Sequence, residues 1–361
     1  MLAAMSLLPF GPLPPCQPRQ FVPAQIDLGD WTQIAPLFDR LEASAPRALT
    51  LAEFERWLLD WSELCAALDE EAARRYIAMT CHTDSAEAEK AYLHFVEHVE
   101  PELKPRQFKL SQVYLAHPQR AGLPPARYQV FDRDTQLRVD LFRAENVALE
   151  TEEAKLGQQF QKLAGALTVQ FRGEEKTLVQ MGRYQEETDR GLRQEAWETV
   201  VERRLRERDQ FDDLFDGMVK LREDMARNAG FANYLEYAFR LRGRFDYTPA
   251  DCGRFHEAIA EHVVPVLREL QGARRAKLGL PALRPWDLGV DPLGRAPLRP
   301  FEGVGQMVSR TQKIFDRLDG GLAAGFRTMQ EKRLLDLDNR KGKARAGISP
   351  PWRRRGCHSS S

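Results

Sequence analysis

The residues with the clearest chemical potential are two histidines and a glutamate in one short segment. His94, Glu97 and His98 follow the order H-x-x-E-H, the inverted form of a zinc-peptidase motif. On a helix turning about 100° per residue, the two histidines share one flank and could meet one metal ion. Glu174 or Glu175 could supply a third ligand. The alternative is a partly solvated helix flank, which we favour because a five-residue pattern is easily matched by chance.

A second histidine pair resembles a zinc motif only in part. His256 and Glu257 begin like H-E-x-x-H, but Ala260 stands where the second histidine is required. His262 lies about 240° around a helix from His256, which is too far to share an ion without other ligands. We interpret both histidines as surface residues of an amphipathic helix.

Two aspartates near the end of the sequence offer another possibility. Asp336 and Asp338 would point the same way from a strand, so they could bind a cation or act as an acid and base pair. We favour an outward polar face, with Leu335 and Leu337 pointing inward. The sequence contains no G-x-S-x-G elbow, dinucleotide loop or phosphate-binding glycine loop.

The composition excludes several classes of protein. Lys plus Arg and Asp plus Glu both number 53, so no net charge attracts nucleic acid or an anionic membrane. No run approaches the roughly 18 apolar residues of a membrane-spanning helix. The five cysteines are scattered and odd in number, which argues against a disulfide framework. We therefore predict a cytoplasmic protein that binds neither nucleic acid nor membrane.

Helical periodicity dominates the sequence. Thr50 and Glu53 predict a capping box at the start of a long amphipathic helix. A second helix begins near residue 84 and should be broken by Pro101 and Pro105. Further helices are predicted over about 156–167, 211–229, 248–267, 305–318 and after 321, and Pro265 should kink the one that contains it. The other predicted elements are a hairpin at 168–181, a long loop at 281–300 and a strand at 333–338.

Several segments, taken together, resemble the oligoendopeptidase F branch of the thimet-oligopeptidase-like zinc metallopeptidases. The similarity extends from about Phe21 to Ala344 and depends on the order and spacing of the segments. They are Tyr92-Leu-His-Phe-Val-Glu97 with Leu103-Lys-Pro105, Phe171-Arg-Gly-Glu-Glu-Lys-Thr-Leu178, Asp189-Arg-Gly-Leu-Arg193 with Trp197, Leu221-Arg-Glu223, Ala229-Gly-Phe-Ala-Asn-Tyr234, Pro285-Trp-Asp287 and Leu335-Asp-Leu-Asp-Asn-Arg-Lys-Gly-Lys-Ala344.

The resemblance implies a mainly α, two-lobed helical oligopeptidase-like architecture with a small β-hairpin. It also implies a channel that admits short peptides and a zinc ion held by H-E-x-x-H and a later glutamate. Two histidines four residues apart on a helix can coordinate one metal ion, and the glutamate between them polarises a zinc-bound water.

The sequence departs from the family at this motif, because residues 1–361 contain no H-E-x-x-H. The segment 345–361 also changes character, with Arg353-Arg-Arg355 and no acidic residue. We expect a reading-frame shift near Ala344 or another truncation, and hence a C-terminally incomplete fold. The resemblance then implies no catalytic residue, metal ligand or cofactor-binding residue in this chain, although the complete family member would bind zinc.

The resemblance also implies a domain organisation. Residues 1–22 are expected to be a disordered leader, and 23–182 the N-terminal helical domain with its hairpin at 168–181. Residues 183–344 would form the first part of a helical catalytic domain, and 345–361 an aberrant basic tail. We expect a truncated, inactive oligoendopeptidase that is monomeric or prone to aggregation. The alternatives are a non-catalytic peptide- or partner-binding module and an inverted-motif peptidase using His94, Glu97 and His98.

Overall fold

The computed structural model describes residues 18–45 and 50–344, and helices account for most of them. The α-helices are α1 (Trp31–Ser44), α2 (Leu51–Cys81), α3 (Ala86–His94), α4 (Glu100–Ala116), α5 (Pro125–Leu141), α6 (Ala144–Gly165), α7 (Arg190–Leu205), α8 (Arg208–Asn228), α9 (Tyr234–Leu241), α10 (Pro249–Ala258), α11 (Val264–Lys277), α12 (Gly303–Leu318) and α13 (Gly320–Glu331). Strands β1 (Thr168–Phe171) and β2 (Glu174–Thr177) form a hairpin. The predicted mainly α fold with a small hairpin is confirmed.

Short helical turns of other kinds join these elements. They are the π-turns Phe95–Val99 and Ile259–Val263 and the 3-10 turns Pro118–Gly122, Gln180–Glu186 and Pro285–Asp287. No helix within the described ranges combines the length and hydrophobicity needed to cross a membrane. The predicted tail at 345–361 and the part of the predicted leader at 1–17 lie outside the described residues.

The N-terminal helices enclose the largest core of the described chain. Thr50 and Glu53 form the predicted capping box at the start of α2. The apolar face of α2 then packs against α1, and its Phe54 ring stacks on Tyr114 of α4. Phe54, Trp57 and Trp61 are among the buried side chains. Stacked and edge-on ring contacts fill this core, which gives the domain a rigid interior.

Residues 18–22, which the sequence placed in the leader, are held against this core. The backbone N–H groups of Gln20, Phe21 and Val22 donate to one carboxylate oxygen of Glu63, at 2.8, 2.7 and 2.9 Å. Glu63 is only 4% exposed. The side chains of Phe21 and Val22 are also buried, so the folded chain extends N-terminal to residue 23.

The prediction that Pro101 and Pro105 break the second helix is wrong. The chain continues from α3 through the π-turn Phe95–Val99 into α4. Pro101 lies in the first turn of α4, where a helix needs no backbone N–H, and Pro105 is accommodated within α4. The wider π-turn supplies the local irregularity that a proline-containing helix requires.

The hairpin is shorter than the predicted 168–181. Arg172 and Gly173, both with positive φ, connect β1 to β2, as a tight two-residue hairpin turn requires. Thr168 pairs with Thr177, and Phe171 with Glu174. Residues after Thr177 leave the sheet and enter the 3-10 turn Gln180–Glu186.

The second half of the chain is packed less completely. The start of α8 lies near the hairpin core, and its end packs with α5 and α9 around Met225, Ala226 and Tyr237. Thr248 caps α10, and Pro249 lies in its first turn. No residue of α10, α11 or α12 is buried, so these helices leave large apolar side chains exposed.

The prediction of a strand at 333–338 is wrong. Arg333 lies in a turn, and residues 334–338 have no regular secondary structure. Their polar groups are satisfied locally instead, because the Asp336 carboxylate accepts hydrogen bonds from the Arg340 guanidinium at 2.8 and 2.9 Å.

Candidate functional site

The inverted motif lies at the junction between α3 and the following π-turn. Buried Phe95, Val96 and Val99 anchor the turn, whereas the His94 and His98 side chains remain exposed. The centroids of the two imidazole rings are 4.9 Å apart with a 49° angle between the ring planes. The structure therefore brings the two histidines together, as their spacing predicts.

The surroundings of these histidines do not fit a catalytic zinc ion. His94 Nε2 lies 3.1 Å from the carbonyl oxygen of Gly29, so this nitrogen must donate its N–H and cannot also bind a metal. Glu97 pairs with Lys155 at 3.2 Å, and Lys155 also pairs with Glu152 at 3.0 Å. These carboxylates raise the pKa of the Lys155 ammonium, which keeps the cation beside Glu97.

The two suggested third ligands are held elsewhere. Glu175 accepts hydrogen bonds from Lys341 at 2.7 Å and from the Thr168 hydroxyl at 2.8 Å, and these contacts lower its pKa. Glu174 pairs with Lys176 on the same strand. Within residues 18–45 and 50–344, no group of three or more His, Cys, Asp or Glu side chains could hold a metal ion. A catalytic zinc needs about three protein ligands, so the inverted motif does not meet that requirement.

The other suggested ligands are also separate. His256 lies on α10 and His262 in the π-turn Ile259–Val263, both exposed to solvent. Asp336 is paired with Arg340 and Lys343, and the hydrogen bond from Arg340 is the largest cause that lowers its pKa well below the ordinary value. An aspartate held as the anion in this way is an ion-pair partner and not a general acid.

A buried ion-pair network, which the sequence alone did not indicate, joins two of the segments that carry the family resemblance. Asp287 is 0% exposed. Its carboxylate accepts hydrogen bonds from Arg190 Nε at 2.9 Å, Arg190 Nη2 at 3.0 Å and Arg193 Nη2 at 3.3 Å. The backbone N–H of Arg284 donates to the same carboxylate at 2.9 Å.

Arg193 extends the network into the loop backbone. It donates to the carbonyl oxygens of Trp286 at 2.7 Å, Glu187 at 2.8 Å and Thr188 at 3.0 Å. Burial alone would raise the pKa of Asp287, but the hydrogen bonds from Arg190 and the Arg284 backbone outweigh it and lower that pKa. Because every group is hydrogen-bonded, the network fixes the loop after α11 against α7 without offering a reactive group.

The segment 336–344 returns to the earlier part of the chain and contacts three elements there. Thr83 N donates to Gly342 O at 2.7 Å, and Gly342 N donates to Gly165 O at 3.1 Å. Gln180 Nε2 donates to Asn339 O at 2.9 Å. The segment thus joins the ends of α2 and α6 to the hairpin region, a structural role for one of the family-like segments.

A cavity of about 470 Å³ lies between α3 and α6. Gln158, which is buried, donates to Glu89 at 2.9 Å on its wall, and Lys162 pairs with the same carboxylate at 2.8 Å. The rest of the wall is mainly apolar, with Leu93, Leu163 and Ala166. Since Lys155 and Lys162 both have carboxylate partners, the cavity offers no uncompensated charge to a ligand.

Comparisons with known proteins identify the family. The sequence profile described as Peptidase M3 N-terminal domain matches residues 21–142, and that described as Peptidase family M3 matches residues 183–320. Together the two matches cover most of the chain. No curated protein matches it.

Three solved structures that are described as peptidases share this fold. An oligoendopeptidase F from Bacillus anthracis str. Ames is 21% identical with a TM-score of 0.83, over 89% of this chain and 59% of its own. Another oligoendopeptidase F is 25% identical with a TM-score of 0.83, over 90% and 57%. PZ peptidase A, solved with an inhibitor, is 24% identical with a TM-score of 0.84, over 91% and 58%.

This chain therefore spans less than three fifths of the length of each of these structures. The likeness covers about nine tenths of this chain. On the evidence of the two profiles and the shared fold, the chain belongs to peptidase family M3.

Proposed function

We propose that this chain supplies the N-terminal domain and the first part of the catalytic domain of a zinc-dependent oligoendopeptidase. The proposed activity of the complete family member is hydrolysis of internal bonds in short peptides by a zinc-activated water. We also propose that the polypeptide of residues 1–361 does not itself hydrolyse peptides.

The absence of a suitable ligand set from the described residues is the main support for inactivity. His94 and His98 do lie side by side, but His94 Nε2 is hydrogen-bonded to a backbone carbonyl oxygen, and Glu97 forms an ion pair with Lys155. A hydrolytic zinc needs about three protein ligands and an open position for water. Outside the described residues the sequence also provides no H-E-x-x-H.

The test uses the purified 361-residue polypeptide with added zinc. After dialysis, elemental analysis should find far less than one zinc ion per chain, and internally quenched peptides should stay intact. The variant His94→Ala serves as the matched control and should behave like the wild-type protein. One tightly held zinc together with cleavage that His94→Ala abolishes would establish the inverted-motif peptidase and overturn the proposal.

Binding without cleavage is a separate outcome. Titration calorimetry with the same peptides distinguishes an inactive chain that retains a peptide-binding surface from one that binds nothing. Binding without hydrolysis would favour the non-catalytic module, which the exposed apolar side chains of α10 to α12 could serve. A location in the cytoplasm is also part of this proposal, and fractionation of the cells that produce the protein tests it.

A further inference from the structure

His94 and His98 form an exposed pair of imidazoles that the proposed function does not use. Their ring centroids are 4.9 Å apart, and the ring planes are tilted by 49°, so the rings are not stacked. Both side chains are open to solvent, whereas Phe95, Val96 and Val99 are buried and fix the turn between them. The pair is thus anchored by the core and accessible from outside.

The π-turn Phe95–Val99 aligns the two histidines. On a regular α-helix a side chain four residues further on lies about 40° past the first one. A π-turn contains almost one more residue per turn, so the fourth residue lies closer to directly above the first. The turn is closed by the hydrogen bond from the Glu100 backbone N–H to the carbonyl oxygen of Phe95. Its geometry therefore suits two side chains that bind one ion together.

The spacing of the rings fits coordination of a single metal ion. A metal ion lies about 2.0–2.1 Å from an imidazole nitrogen, which places it roughly 3.2 Å from the centre of the ring. Two imidazoles that bind one ion at an angle between about 90° and 109° therefore have centres roughly 4.5 to 5.2 Å apart. The observed distance of 4.9 Å lies inside this range.

His94 is already held as a metal ligand would be. Its Nε2 lies 3.1 Å from the carbonyl oxygen of Gly29, and since a carbonyl oxygen only accepts, Nε2 carries the proton and Nδ1 keeps a free lone pair. Histidines that bind metals usually donate their other ring N–H to such a partner, which fixes the tautomer and the ring orientation. Within residues 18–45 and 50–344, no hydrogen bond occupies Nδ1 of His94 or either ring nitrogen of His98.

The charges beside His94 favour a cation. The pKa of Asp30 is lowered first by a hydrogen bond from the Thr32 side chain, and the charge of the nearby His94 imidazole lowers it further. The Asp30 carboxylate is therefore close enough to attract a cation held by His94. The Arg75 guanidinium packs against the preceding glycine, but the Glu71 carboxylate at 2.7 Å compensates its charge.

The described residues offer only two protein ligands at this place. Glu97 lies between the histidines in the sequence, but it forms an ion pair with Lys155 at 3.2 Å. No group of three His, Cys, Asp or Glu side chains that could hold an ion occurs in the described part of the chain. Two imidazoles completed by water suit Cu²⁺, Ni²⁺ and Zn²⁺, whereas Mg²⁺ and Ca²⁺ prefer oxygen ligands.

We propose that His94 and His98 bind one divalent transition-metal ion as a non-catalytic, two-histidine site. The ligands are Nδ1 of His94 and one ring nitrogen of His98. The proposal is independent of the proposed function, because a hydrolytic zinc needs about three protein ligands. An ion held by two ligands exchanges readily, so the dialysed protein should still contain little zinc.

Titration calorimetry with Ni²⁺ tests the site, because Ni²⁺ suits imidazole rather than the thiolates of the cysteines. His98→Ala removes one ligand at an exposed position, so the fold should be unaffected, which circular dichroism checks. Even the outer hydrogen-bond partner of a metal-bound histidine contributes about 10–100-fold to affinity, so the loss of a ligand should weaken the strongest Ni²⁺ site at least about tenfold. Ca²⁺ in place of Ni²⁺ should not bind at this site.

His262→Ala is the matched control. The segments Phe95–Val99 and Ile259–Val263 are both π-turns, and their sequences F-V-E-H-V and I-A-E-H-V carry an exposed histidine at the same position. Four residues earlier stands His94 before the first turn but Ala258 before the second. His262→Ala should therefore leave the strongest Ni²⁺ site unchanged. No saturable binding of Ni²⁺ up to about 1 mM, or equal weakening by both substitutions, would overturn the proposal.

The variant Ala258→His tests the same geometry by gain of binding. It places a second imidazole four residues before His262, across the other π-turn and at an exposed position. This variant should bind a second equivalent of Ni²⁺, which His262→Ala in the same chain should remove. If no second equivalent binds, π-turns of this kind do not align two imidazoles on one ion, and the geometric basis of the proposal would be refuted.

Discussion

Replacement of Asp287 by alanine should destabilise the protein more than any surface substitution. Asp287 is fully buried and accepts hydrogen bonds from both Arg190 and Arg193. Arg193 is itself only 3% exposed, so the variant leaves a guanidinium buried without its counter-ion. Removing one partner of a buried ion pair costs about 3–5 kcal/mol. Against the 5–15 kcal/mol that stabilises a typical domain, this is a large fraction.

Urea unfolding followed by circular dichroism measures this cost. Trp197 and Trp286 have ring centroids 5.4 Å apart beside the network, so tryptophan fluorescence gives a second, local reading. Asp287→Asn keeps the shape and one acceptor, and should cost less than alanine. The matched control is Asp316→Ala, which breaks an exposed pair with Arg327 and should cost no more than about 1 kcal/mol.

The pH dependence gives an independent check with a defined sign. The pKa of Asp287 is lower in the folded protein than its ordinary value of 3.8, so the ionised form stabilises the fold. This contribution is fully present well above pH 3.8 and is lost as the pH falls towards the lowered pKa. The stability difference between wild type and Asp287→Asn should therefore be constant near neutral pH and shrink in acid. If Asp287→Ala lost no more stability than Asp316→Ala, the structural role assigned to this network would be refuted.

Two other substitutions test contacts that hold distant segments. Glu63→Ala leaves the backbone N–H groups of residues 20–22 without their acceptor. Because each hydrogen bond to a charged group contributes about 1.5–3 kcal/mol, the free energy of unfolding in urea should fall by about 3 kcal/mol or more. Glu63→Gln should lower it less. Gly342→Ala should lower the melting temperature, because φ is +75° and the new Cβ would lie 2.6 Å from the Asp84 carboxylate. Gly272→Ala, in a helix where no other atom lies within 4 Å of the new Cβ, should instead leave the melting temperature unchanged or raise it. Equal effects of the two glycine substitutions would contradict the contacts assigned to the segment 336–344.

The features that were predictable from the sequence depend on neighbouring residues. The capping boxes at Thr50 and Thr248 each involve a side chain three residues away, so their pattern is visible in a single sequence. The hairpin is similarly local, although its strands end at Thr177 because Thr177 and Gln180 turn to bind Asn339. The helix after residue 94 was predicted to end too early, since the π-turn that accommodates Pro101 has no sequence signature.

The parts of the candidate site that depend on distant contacts were not predictable. His94 and His98 do lie side by side, as their spacing indicated. Glu97, in contrast, forms an ion pair with Lys155, which comes close only when α6 packs near the π-turn. Asp287 and Arg190 are 97 residues apart, and nothing in one sequence identifies such partners, although both lie in segments quoted for the family resemblance. Their ion pair, between buried Asp287 and partly exposed Arg190, gives both segments a structural role.

The distribution of packing supports the proposed inactivity. From Arg242 onward, the described residues contribute only Val290, Ala323 and Ala344 to the buried apolar side chains. Hydrolytic sites need ligands held within fractions of an ångström by packed neighbours, and this part of the chain offers little such support. The same lack of packing leaves large apolar side chains of α10 and α11 open to water. Helices without packed neighbours cannot hold several ligands at fixed distances, so zinc binding by this part of the chain should be weak, and the zinc content of the dialysed protein tests this.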